Sequence, residues 1–190
     1  MSIKKIVIFA SGGGTNAENI ITYFNNSEQV SCEAVFCNRK QAGVLERAKR
    51  LGVKSVVFNK TEFLESDTVL NQIESINPDL IVLAGFLLKI PEAMVKAFNH
   101  KIINIHPALL PKYGGKGMYG MHVHQAVVDH KEKESGITIH YVNQNYDEGA
   151  IIFQAKCPVE NTDTVEDVAK KIHELEMEHF PKVIEELLSA

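Results

Sequence analysis

Tryptophan is absent, cysteine is scarce and basic residues are outnumbered. The 190-residue sequence holds no Trp, three Cys, and 20 Lys and Arg against 24 Asp and Glu, for a formal net charge of -4. That balance, with a sequence pI near 6.1, excludes a general binder of nucleic acid or of a membrane surface, because neither polyanion is held without a cationic surplus. A phosphorylated ligand is still allowed, but its charge has to be met locally. Cys32, Cys37 and Cys157 make no even framework and no metal-type spacing. Cys32 and Cys37 fall in an apolar run, and all three read as reduced thiols of a cytosolic protein. Long apolar runs are missing as well: the stretch 80–88 is about half of the ~20 residues that a membrane span needs. The apolar segment after Met1 is shorter than the ~7–15 residues of a signal-peptide core, and a glycine run follows it directly. These absences predict a cytoplasmic protein. Repeats, linkers and low-complexity tracts do not occur.

What is present suffices for a packed core. Hydrophobic residues make up 45% and charged residues 23%, which excludes disorder as the main state. At ~100–200 residues per domain the chain is expected to form one domain, 1–190. A chain of this length buries about 70% of its unfolded surface and needs no staple. Ile3–Ala10, Val30–Cys37, Val53–Phe58, Asp79–Leu83 and Ile102–Ile105 read as strands, mostly as continuous apolar runs buried on both faces. Helices are expected over Thr15–Phe24, Gly43–Leu51, Phe63–Ile76 and Pro91–Phe98; in the third, Leu64, Val69, Leu70, Ile73 and Ile76 keep helical spacing. Alternating strand and helix means a parallel sheet with right-handed crossovers, whose ligands sit at the C-terminal strand ends. The second half differs. Pro107–Met121 is a long loop carrying Gly114, Gly115, Gly117 and Gly120, and such a loop is usually functional. Val123–His130 reads as a helix, and Gly136–Val142 and Ala150–Val159 as an antiparallel strand pair. Thr164–Leu188 is a long amphipathic helix with a kink expected at Pro181. The fold class is therefore α/β: a Rossmann-like, mostly parallel sheet flanked by helices, with an antiparallel pair and a long C-terminal helix.

Two features carry chemistry. The first is the run Gly12-Gly13-Gly14-Thr15-Asn16-Ala17 between a strand and a helix. Glycines let backbone approach an anion closely, and the helix start offers unpaired N–H groups and partial positive charge. A dinucleotide site would want an acid after the second strand, where this sequence reads Asn38-Arg39-Lys40. Arg39 suits the 2′-phosphate of NADP instead, so a reductase reading stays open, as does a plain tight turn capped by Thr15 or Asn16. The second feature is Asn104-Ile105-His106-Pro107 together with Asp147-Glu148-Gly149. Asn104 and His106 are two apart on a strand and share a face. A nearby Asp147 is expected to raise the His106 pKa above its ordinary ~6.5. An amide beside an imidazolium stabilises an oxyanion, which suggests acyl-type transfer; a satisfied core histidine is the competing reading. His122 and His124 at a helix start diverge by about 200° and do not easily share a metal ion, and no H-E-x-x-H occurs. His140 alternates with Ile137 and Ile139, and its facing is left open.

Ser11–Asn16, Leu83-Ala-Gly-Phe86, Ile103-Asn-Ile-His-Pro-Ala-Leu-Leu-Pro111 and Asp147–Gly149 occur in order over nearly the whole chain. Together they closely resemble the phosphoribosylglycinamide formyltransferases of purine biosynthesis. The resemblance implies formyl transfer from 10-formyltetrahydrofolate, as co-substrate, to the amine of phosphoribosylglycinamide, with no metal. It implies Asn104, His106 and Asp147 as the catalytic trio, and Gly14, Thr15, Asn16 and Glu176 as contacts to the ribotide. For the folate it implies Leu87, Leu88, Lys89, Ile90 and Asn104, together with the loop residues Asn143, Gln144, Asn145 and Tyr146. The half 1–100 would bind phosphate, and the half 101–190 would hold the catalytic groups and folate. Some members carry a basic residue near the start of the third helix; here Glu62 stands there, with Lys60 close by. The segment Gly114–Gly120 is expected to form a lid beside the ribotide. Partners are expected to be these small molecules alone, without nucleic acid or membrane, for a monomer or homodimer. The competing functions are an NADP-dependent reductase and a non-catalytic phosphometabolite-binding module.

Overall fold

The computed structural model describes residues 2–189. Seven strands share one sheet: β1 (Lys4–Ala10), β2 (Val30–Cys37), β3 (Lys54–Val57), β4 (Leu80–Leu83), β5 (Ile102–His106), β6 (Glu134–Tyr141) and β7 (Ile151–Pro158). Their order is β3-β2-β1-β4-β5-β6-β7. β1 to β5 run parallel, whereas β6 is antiparallel to both β5 and β7. The strand order reverses between β1 and β4, so a crevice opens where their C-terminal ends diverge.

The helices are α1 (Thr15–Phe24), α2 (Gly43–Arg50), α3 (Lys60–Leu64), α4 (Thr68–Ile76), α5 (Glu92–Ala97), α6 (Met121–Asp129) and α7 (Val165–Ser189). Alternation along β1 explains the two cores. Ile6, Ile8 and Ala10 pack with residues of α1, α2 and α7, among them Ile20, Val44 and Phe180. Val7 and Phe9 point the other way, onto Phe63, Ile73 and Met94 of α3, α4 and α5. Each fully buried side chain of this size contributes about 1.5–3 kcal/mol. Phe9 stacks on Phe36 at 5.1 Å and meets Phe86 edge-on at 5.1 Å. That anchors the chain just before Leu87. Ser11 Oγ accepts from Leu87 N at 3.0 Å and pairs with Asn38 Oδ1 at 2.6 Å, fixing the ends of β1, β2 and β4 to one another.

One sequence expectation changes. The helix expected over Phe63–Ile76 is two helices. Asn59 and Glu62 form a capping box that starts α3 early, and Ser66 Oγ bonds back to Glu62 O, so the chain breaks before α4. The Glu62 carboxylate is thereby bound to Asn59 N. α7 runs through Pro181. Proline releases the carbonyl four residues earlier, Met177 O, and Asn19 Nδ2 of α1 donates to it at 2.8 Å. The released acceptor is satisfied and ties α7 to α1.

Candidate active site

The glycine turn is shaped by α2 as much as by α1. Gly14 has φ 80°, in the left-handed region, and α1 begins without a side-chain cap. A Cβ on Gly14 would lie 2.5 Å from Val44 Cβ, so both the backbone and the contact require glycine. Val44 N donates to Gly12 O, and Arg47 Nε donates to Gly13 O at 2.8 Å. The carbonyls of the turn are thus bound to α2, and the first N–H groups of α1, which lack intrahelical acceptors, remain for a ligand.

A cavity of about 760 Å³ lies at the C-terminal ends of β1, β4 and β5, within the range of small-molecule sites. At one end, Asn16 Nδ2 donates to Glu176 Oε2 at 2.9 Å, and His173 Nδ1 lies 3.4 Å from the same oxygen. That contact raises the His173 pKa. Asn16 Oδ1 is buried and has no partner among the described residues. Such an orphan costs roughly 1–3 kcal/mol and marks a place where a ligand donor fits. His124, also in the wall, is 6% exposed. Burial pushes its pKa down against the pull of Glu176.

At the centre, Asn104 lies opposite His140 and His106 opposite Thr138 across the β5–β6 ladder. His106 Nε2 is 2.8 Å from Tyr113 O; a carbonyl only accepts, so Nε2 carries a proton. His106 Nδ1 faces Asp147 Oδ2 at 3.7 Å, and the same oxygen accepts from Gly115 N at 2.9 Å. Asp147 Oδ1 is 3.6 Å from His140 Nε2. Burial tends to raise the Asp147 carboxyl, but the His140 ring, the His106 charge and the Gly115 N–H outweigh it and hold its pKa below the ordinary value.

The expected rise in the His106 pKa is not found. His106 is 3% exposed, and desolvation lowers its pKa below 6.5. Asp147 and the Tyr113 carbonyl push it up without prevailing, and His140 pushes it down. The pair at neutral pH is therefore a carboxylate beside a neutral imidazole with its Nδ1 lone pair directed toward that carboxylate. Thr138 Oγ1 donates to Ala108 O at 2.6 Å and accepts from Leu110 N at 3.0 Å and Gln154 Nε2 at 2.9 Å. It fixes the chain that leaves β5 after His106.

The profile of the formyl transferase family matches residues 4–184. The chain is a member of the formyl transferase family. It is 38% identical over 194 residues to the chloroplastic phosphoribosylglycinamide formyltransferase of Arabidopsis thaliana, covering 96% of this chain and 66% of that protein. It therefore spans just under two thirds of that relative's length. It is 36% identical over 193 residues to the phosphoribosylglycinamide formyltransferase of Bacillus subtilis, covering 98% of this chain and 95% of that one. The crystal structure of the Streptococcus pneumoniae TIGR4 phosphoribosylglycinamide formyltransferase superposes with a TM-score of 0.86 at 35% identity, covering 97% of this chain and 99% of that chain.

In this formyl transferase, Asn104, His106, Asp147, Asn16 and Glu176 line this cavity, as do Leu87, Leu88, Lys89 and Ile90. Asn143, Asn145 and Tyr146 line it too, with Lys89 Nζ 5.6 Å above the Tyr146 ring. Gly14, Thr15 and Gln144 do not reach its wall. Gly14 shapes the turn behind it, and Thr15 is exposed at the start of α1. Gly115, Lys116, Gly117 and Gly120 of the expected lid do line it. Sequence reasoning passed over His173, and it missed the backbone groups of Tyr113 and Gly115, which no side-chain pattern marks. The alternation along β6 alone does not orient His140; its cross-strand partner Asn104 does. His122 and His124 do diverge: His122 is exposed against the Tyr119 ring at 5.3 Å, whereas His124 is buried.

Proposed function

We propose that this chain transfers the formyl group of 10-formyltetrahydrofolate to the amine of phosphoribosylglycinamide. The observation that carries the reading is that one cavity joins three subsites of different chemistry. Gly12, Asn16 and Glu176 line the end of the cavity next to the uncapped start of α1, which suits a phosphorylated sugar. The apolar segment Leu87–Ile90, with the loop Asn143–Tyr146, suits a planar heterocycle. Asn104, His106 and Asp147 lie between them. The family and the names of the relatives agree with this reading.

The chemistry follows from the protonation states. The ribotide amine attacks the formyl carbon, the new C–N bond forms, and the carbonyl electron pair moves to oxygen. An Asn104 N–H stabilises that oxygen. The amine proton passes to the neutral His106–Asp147 pair, at the Nδ1 lone pair that faces the carboxylate. The imidazolium so formed lies beside the oxyanion. On collapse the C–N10 bond breaks, and N10 of tetrahydrofolate takes the proton. The step balances with the two substrates alone. Tyr113 O and Gly115 N hold the two acid–base side chains from the loop that covers them.

We read the protein as cytoplasmic. The support is that Cys32, Cys37 and Cys157 are all unpaired thiols, and burial pushes Cys32 up to about 12. No helix among the described residues is long and apolar enough to cross a membrane. The deciding assay follows tetrahydrofolate release from the formyl donor with and without the ribotide. Release that depends on the ribotide is expected. Equal release without it would make the protein a hydrolase and overturn the proposal.

A further inference from the structure

His140 is a buried polar side chain in the cavity wall, 2% exposed, to which the steps above give no part. Its two ring nitrogens have different surroundings. Nδ1 is 2.9 Å from Tyr141 O. A carbonyl accepts only, so Nδ1 carries a proton. Nε2 is 3.2 Å from Asn104 Nδ2 and 3.6 Å from Asp147 Oδ1; only the first is a hydrogen-bond distance. The Tyr141 carbonyl is itself fixed, because Gly149 packs so close that a Cβ there would overlap the Tyr141 oxygen. In a neutral ring with its proton on Nδ1, Nε2 offers a lone pair, and the amide group of Asn104 must turn its nitrogen toward it. One N–H of Asn104 is then bound to His140. The second N–H leaves the same nitrogen about 120° away, and Oδ1 lies on the opposite side of the amide. Without the Nε2 lone pair, a half-turn of the amide would fill the same volume and put an oxygen where the N–H stood. An oxygen there would repel a developing oxyanion.

We propose that His140 is a positioning residue that acts through Asn104: as the Nδ1–H tautomer it fixes the amide so that an N–H, not Oδ1, faces the oxygen of the transferred formyl group. This inference rests on the formyl-transfer reading above. It divides the two histidines by task. His106 exchanges a proton during turnover, and His140 orients the amide.

Two measurements test it. The first is a long-range proton–nitrogen spectrum of the whole protein with nitrogen-15 histidine at neutral pH, in wild type and His140→Leu to assign the signal. The expected pattern is a protonated Nδ1 and an unprotonated Nε2. An Nε2–H tautomer or an imidazolium at His140 would overturn the proposal. The second is a double-mutant cycle on kcat with Asn104→Ala and His140→Leu. Because His140 acts only through Asn104, His140→Leu should lower kcat by roughly 10–10³-fold, up to the loss of one oriented donor. The double variant should match Asn104→Ala within about twofold. His140→Gln, which restores an acceptor near the Nε2 position, should recover part of the rate, and the KM for ribotide should change little in all three. Multiplying losses, or His140→Leu at wild-type rate, would overturn the proposal. The spectrum is read independently of turnover. A wild-type protein that shows the expected tautomer but no transfer would refute the formyl-transfer reading, and with it the catalytic consequence, leaving the hydrogen bond in place.

Discussion

Replacing Asp147 by asparagine separates its charge from its shape. Asp147 has φ 56°, a left-handed conformation that asparagine tolerates better than most residues. Its Oδ2 accepts from Gly115 N at 2.9 Å, and an amide oxygen in its place still accepts, though more weakly. The variant should fold with the loop in place. What it loses is a negative charge 3.7 Å from His106 Nδ1. At an effective dielectric constant of ~20, that charge stabilises a protonated His106 by about 4 kcal/mol. This corresponds to roughly a thousandfold change in the protonation equilibrium. His106 already titrates below 6.5 because of burial, so Asp147→Asn should push it further down and remove the proton store needed in the transition state. We expect kcat to fall by roughly 10²–10⁴, the usual reach of acid–base catalysis, with the ribotide KM within about threefold. Steady-state kinetics in both substrates and an NMR titration of His106 check this. A variant that keeps wild-type kcat, or a His106 pKa that does not move, would refute the reasoning.

Three other outcomes follow from the geometry. Gly14→Ala should destabilise the protein by roughly 2–4 kcal/mol, from left-handed strain plus the 2.5 Å contact with Val44, whereas Gly13→Ala, with nothing within 4 Å of its Cβ, should unfold like wild type in denaturant. Thr138→Val leaves the buried Leu110 N–H without its acceptor and Ala108 O without the hydroxyl donor, and thermal unfolding should show a loss of roughly 1–3 kcal/mol. The acid limb of kcat/KM should lie below ~6.5, because a depressed His106 pKa keeps the base neutral there. The same depression makes folding lose stability as pH drops below ~6.5, since the unfolded chain takes up that proton first. An acid limb above 6.5 would restore the resting imidazolium expected from sequence.

The five parallel strands were legible because each is an apolar run bounded by turn residues, and β6 and β7 because their pattern changes. The alternation Ile6, Ile8 against Val7, Phe9 carries both cores. The break between α3 and α4 was not legible, because helical spacing continues across it while Ser66 bonds locally to Glu62 O. At Pro181 the carbonyl released by the ring is met by Asn19, far away in sequence. That Asn104, His106 and Asp147 come together in one cavity was legible, but not their charge state. The His106 pKa depends on how deeply the β5–β6 edge is buried by the loop, and adjacency to a carboxylate alone gave the wrong sign. His140 shows the same limit, since only strand register tells which side chain it meets.

The central claim, that this cavity makes a formamide bond to the ribotide amine, is tested most directly by isotope labelling. A donor carrying a carbon-13 formyl group is mixed with phosphoribosylglycinamide carrying nitrogen-15 at its amine, and the protein is added. The account predicts a product whose formyl carbon shows one-bond coupling to nitrogen-15, at a rate lost in His106→Ala. Carbon-13 appearing as free formate, or coupling that forms equally fast without the protein, would contradict it.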